Sequence, residues 1–284
     1  MTITVAIVVT GVLAAAAASL TGAILAVRGQ AMLNDAISHG VVLGIAVFYL
    51  ALGGLPGPWR LVSAAVAALV TVAASEALSA SKRVRADAAV ALVFPAMFAA
   101  GVLLLGLFAR DAHVDAHAVL LGEIGFVWLD SVSVFGASVP RAALLLALVF
   151  ACDVAFYVVA RRRLALAAFD PEQAHMQRQR PRLVAQLWLV LTAVTAVAAF
   201  DAVGVVLYVA FAIVPAVTGL LVATRLSAVI GVALAAAVAA AALGYPLAVR
   251  LDASIGGSMA MCTAVPLAVA LLLRSVRARR LRGE

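Results

Sequence analysis

The chain has 284 residues, of which 67% are hydrophobic and only 12% charged, with a formal net charge of +7. An ordinary soluble domain is roughly 45–50% apolar and about 25% charged, so this composition excludes a water-facing globular surface. The basic residues flank apolar runs instead of forming one face, so the positive charge speaks for membrane topology and not for nucleic acid.

A transmembrane helix takes about 20 mostly apolar residues, with every backbone amide bonded inside the helix. Nearly the whole chain consists of such runs, which predicts an all-α, polytopic transmembrane bundle forming a single domain over residues 1–284. The first run, 3–27, has no basic stretch before it and is too long for a signal-peptide core; it is expected to be a retained helix, with the mature protein beginning at Met1. Further spans follow at 34–52, 61–80, 88–107, 142–160, 183–199, 203–222, 228–249 and 255–273, nine in all. Eight or ten are also compatible, because 203–222 contains Pro215 and the apolar stretch 114–128 can dip into the bilayer.

Lysine and arginine collect on the cytoplasmic side of membranes. Here they concentrate at Lys82, Arg83 and Arg85, at Arg161, Arg162 and Arg163 with Arg178, Arg180 and Arg182, and over 274–282. With nine spans these segments, Arg28 and Arg225 all fall inside, while Asp111, Asp115, Glu123 and Asp130 fall outside. The expected protein therefore lies in the cell membrane with its amino terminus outside and its carboxy terminus cytoplasmic. The longest cytoplasmic segment, 161–182, is too short to fold a catalytic domain of its own. Energy must then come from a partner or an ion gradient.

Ionisable side chains inside a span cost on the order of 2.5–3.5 kcal/mol at a helix centre, so they mark cavities, partners or function. Asp35, His39, Glu76, Asp153 and Asp201 qualify. Cys152 and Cys262 stand alone in apolar runs without a Cys-x-x-Cys spacing and read as small packing residues. Asp35 and His39 stand four residues apart on one helical face, offering oxygen and nitrogen to a single divalent cation of the zinc, manganese or iron kind. The same spacing serves equally a structural pair at a helix end. Asp111, His113, Asp115 and His117 invite a reading as an extracellular capture site, against the plainer one of solvated loop charges.

The segment GAILAVRGQAMLNDAISHGVVLG at 22–44 resembles the Arg, then Asp-x-x-Ser-His, then Gly signature of the manganese, zinc and iron family of ABC importer permeases. VLLGEI at 119–124, FDPEQA at 169–174 and DAVGVVLYVAFAIVPAVTGLL at 201–221 extend the likeness in the same order along the chain. The resemblance implies a permease subunit that pairs with itself or with a similar permease, receives metal from an extracellular metal-binding lipoprotein and docks onto an ABC ATPase subunit. ATP is then used by that partner, and the chain itself is not an enzyme.

The resemblance also assigns residues. Asp35 and His39 would hold the passing manganese, zinc or iron, with Ser38 in support. Glu76, Asp153 and Asp201 are weaker candidates, each as readily an interhelical hydrogen-bond partner or, for Asp201, an interface residue, and Pro215 is expected to unwind its helix and offer carbonyls. Phe169, Asp170, Pro171, Glu172 and Ala174 would form the coupling segment, with Pro171 suited to a first helical turn. The chain departs from the family where a glycine usually follows the Ala174 position, reading HMQRQRP at 175–181 instead. One rival reading is a proton-coupled secondary metal transporter using Asp35, His39, Glu76 and Asp201. Another, an intramembrane enzyme, lacks any Gly-x-Ser-x-Gly or His-Glu-x-x-His pattern.

Overall fold

The computed structural model describes residues 2–52, 57–108, 124–134, 137–169 and 181–282. Ten α-helices carry the described chain: α1 (Ile3–Val27), α2 (Met32–Leu52), α3 (Gly57–Ala80), α4 (Ala86–Phe108), α5 (Arg141–Phe169), α6 (Pro181–Val203), α7 (Val205–Val222), α8 (Leu226–Leu251), α9 (Ile255–Cys262) and α10 (Ala264–Arg282). Each of the nine expected spans coincides with a helix or, at the end, with the pair α9 and α10. Among the described residues eight spans are long and apolar enough to cross a bilayer, while α3 contributes a shorter apolar stretch, Ala65–Ala80.

Helix α1 is the hub, packing against α5, α6, α7 and α8. Its run of alanines from Ala14 to Ala18 is buried, and side chains this small let neighbouring backbones come close. Its buried threonines bond within the helix, Thr10 Oγ1 donating to the Ala6 carbonyl at 2.8 Å and Thr21 Oγ1 to those of Ala17 and Ala18 at 3.1 Å, while near its start Thr4 Oγ1 lies 3.0 Å from the Tyr245 hydroxyl of α8. Helix α2 packs mainly on α3 and α4 and meets the rest of the bundle through α6 and α7. Large apolar side chains such as Leu103, Leu148 and Leu272 point outward, which suits a surface covered by lipid.

Three features differ from the sequence expectation. Ser131–Val134 and Ala137–Pro140 form a short antiparallel hairpin, β1 and β2, before α5, preceded by a single 3₁₀ turn at Ile124–Phe126. The last span is interrupted at Thr263, because Pro266 cannot donate to the Cys262 carbonyl and its ring crowds that oxygen. Pro215, by contrast, does not unwind its helix: α7 runs through it unbroken, held by its packing on α1, α8 and α10. Helices α6 and α7 are separated by Gly204 alone, whose φ of +80° lies where side chains are disfavoured.

Candidate functional site

The site is built on α2. Gly40 lets α3 come so close that an added Cβ would run into Thr71 Oγ1. Asn34, one residue before Asp35, is buried and accepts a hydrogen bond from the Tyr208 hydroxyl of α7 at 3.2 Å. These contacts fix both the depth of α2 and its rotation about its own axis. The consequence is that Asp35 and His39 share a face, with Asp35 Oδ1 3.4 Å from His39 Nε2 and the side chains 31% and 28% exposed. They are neither sealed in the core nor fully open.

Two aromatic side chains of α4 hold the imidazole. Phe94 stacks on it with centroids 5.4 Å apart, and Phe98 meets it edge-on at 5.2 Å. His39 Nδ1 is buried and has no hydrogen-bond partner among the described residues, and Nε2 is the ring nitrogen that faces Asp35. Asp35 lies in the first turn of α2, where the positive end of the helix dipole also favours a carboxylate. Ser38 falls in the same stretch of α2.

The other candidates stand elsewhere. Glu76 lines a cleft of about 450 Å³ with Arg28, Gln30, Leu33, Ser75 and Gln186 among its walls. Burial pulls the Arg28 guanidinium below its usual value, and the Glu76 carboxylate opposes that shift. Asp153 is fully buried between α5 and α6, and Asp201 is exposed near the end of α6. Pro215 is buried in α7. Among the described residues no third His, Cys, Asp or Glu joins Asp35 and His39 in a metal-sized cluster. Phe169 ends α5, while Asp170, Pro171, Glu172 and Ala174, like His113 and His117, lie outside the described residues.

Sequence reasoning missed the Arg28–Glu76 cleft, the Asn34–Tyr208 clamp and the partner of Asp153. The first and third depend on helices far apart in the sequence, and no local pattern announces them.

Fold and site together define a polytopic helical membrane protein with a carboxylate and an imidazole paired on one half-buried helix face. The chain belongs to the ABC 3 transport family, which it matches over residues 1–274. It is similar to the manganese transport system membrane protein MntD of Bacillus subtilis (strain 168), with 39% identity over 221 residues that cover 78% of this chain and 75% of that protein. It is also similar to the zinc transport system membrane protein TroD of Treponema pallidum (strain Nichols), with 38% identity over 212 residues, 75% of this chain and 58% of that protein. Among solved structures, PsaBC from Streptococcus pneumoniae in complex with Fab shares the fold at a TM-score of 0.77 and 22% identity, covering 95% of this chain and 91% of that one. The family likeness carried by the motifs is borne out.

Proposed function

We propose that this chain is the membrane-spanning permease subunit of an ATP-driven importer of a divalent transition metal, manganese first and zinc or iron next. Family membership and the relatives named for manganese and zinc support the substrate class. The observation that carries the path assignment is the Asp35–His39 pair: an oxygen and a nitrogen donor, Asp35 Oδ1 and His39 Nε2, 3.4 Å apart on a half-exposed face. Borderline divalent ions accept this donor set, and the absence of thiolate suits an ion that must leave again.

Two donors are fewer than the four or so that such an ion takes. A second copy of the permease, or a similar one, placing its own Asp and His against the same face would supply the rest. Metal arriving from an extracellular binding lipoprotein would meet the pair as the helices open outward, then lose it to the cytoplasm as they rock inward. The ATPase would dock on the cytoplasmic segment that contains Asp170, Pro171, Glu172 and Ala174, with Phe169 at its start. The amino terminus would lie outside and the carboxy terminus inside.

Proteoliposomes holding the permease with its ATPase test the reading. Wild type should take up manganese in an ATP-dependent way, and Asp35→Ala or His39→Ala should reduce uptake at least tenfold, about 1.4 kcal/mol of lost transition-state stabilisation. Undiminished uptake in both variants would remove the pair from the path.

A further inference from the structure

Asp153 has no part in the path described above, yet it is fully buried near the middle of α5. Its neighbours are sparse. Thr195 Oγ1 of α6 lies 2.8 Å from Asp153 Oδ2 and 2.9 Å from the carbonyl oxygen of Leu191. Asp153 Oδ1 is buried without a hydrogen-bond partner, and among the described residues no basic side chain forms an ion pair with it. The helices around it bring little charge. Helix α1 has no ionisable side chain, α6 has Arg182 and Asp201 near its ends, and α7 has Tyr208.

A hydroxyl has one proton to give. If Asp153 were ionised, Thr195 would donate to it, the Leu191 carbonyl would lose its share, and a carboxylate would sit in an apolar interior with one oxygen bare. Burying such a charge unpaired is expensive enough that the group takes up a proton instead. With a carboxylic acid both contacts are satisfied: the Asp153 O–H donates to Thr195 Oγ1, and Thr195 donates to Leu191 O. Only the acid's carbonyl oxygen is then left without a partner, a far smaller cost than a bare charge.

We infer that Asp153 is held as an uncharged carboxylic acid whose hydrogen bond to Thr195 ties α5 to α6, making it a positioning residue for that helix pair. The bond has a second rung beside it, since Phe156 of α5 and Trp188 of α6 meet with ring centroids 5.9 Å apart. On the proposed function, the tie carries a displacement of either helix to the other, so that ATP hydrolysis at the cytoplasmic side stays linked to metal movement. The inference rests on the proposed function only for what the motion achieves; the protonation state stands without it.

Two measurements test it on the full permease–ATPase complex. Infrared spectra of the wild type against Asp153→Asn should show a protonated carboxyl C=O stretch lost in the variant; loss of carboxylate bands instead overturns the inference. In proteoliposomes Asp153→Asn, which keeps a donor and an acceptor, should retain the wild-type metal uptake per ATP hydrolysed. Asp153→Leu should lower that ratio several-fold while ATP is still hydrolysed, and a ratio equal to wild type overturns the tie. Should Asp153→Leu fail to fold, Thr195→Val, which keeps the side-chain shape, gives the same reading and is decided the same way. A wild-type complex that moves no metal with ATP would sink the proposed function, leaving the infrared result to decide the protonation state.

Discussion

The side chains that matter most at the smallest scale are the ones that are missing. Gly22 and Gly40 allow contacts in which an added Cβ would run into the Ala212 backbone of α7 and the Thr71 hydroxyl of α3, respectively. Thr71 cannot give way freely, because its Oγ1 is bonded to the Ala67 carbonyl at 2.9 Å. Gly22→Ala and Gly40→Ala should each destabilise the protein by about 1–3 kcal/mol, the usual cost of overpacking. Gly231→Ala meets no atom within 4 Å and lies inside α8, so it should be neutral or stabilising by up to about 1 kcal/mol. Denaturant titration of the three variants in detergent checks both. The Asp35–His39 pair was legible in the sequence because an i, i+4 spacing on a helix is a local fact. Tyr208 as the clamp on Asn34 was not, since 174 positions separate the two and only the packing of α2 on α7 joins them.

Elements were legible wherever hydropathy alone decides them. A run of about 20 apolar residues has one stable form in a bilayer, so the spans fell close to where the helices are. The misjudged points are those where one residue competes with that rule. Pro266 breaks the last span at Thr263, whereas Pro215 leaves α7 whole. The same chemical lesion thus has two outcomes. The hairpin at Ser131–Val134 and Ala137–Pro140 was hidden because strands of four residues are too short for alternation to stand out. The proposed coupling segment belongs to this scale too. Asp170→Ala combined with Glu172→Ala should reduce co-purification of the ATPase subunit without lowering the amount of folded permease; full retention of the ATPase would move the docking surface elsewhere.

For the whole molecule, charge asymmetry predicts orientation. In a Cys152→Ser, Cys262→Ser background, a cysteine placed at Ser81, beside Lys82 and Arg83, should be blocked only by a reagent that enters the cell, while one at Ser133 in the hairpin should react from outside. Reversed labelling would invert the topology. The bundle also explains how a chain this apolar presents a hydrophilic pair at all: α1 and its neighbours form a tightly packed half, and α2 with α3 and α4 leaves one face half-exposed. On the proposed function, that face is where a second permease and a passing ion meet.

The most direct test of that claim watches the ion itself. Manganese bound to the permease–ATPase complex, with its histidines labelled with ¹⁵N, should show ¹⁵N coupling in pulsed electron paramagnetic resonance, and His39→Ala should abolish it. A bound-manganese signal whose nitrogen coupling is identical in wild type and His39→Ala would contradict the account.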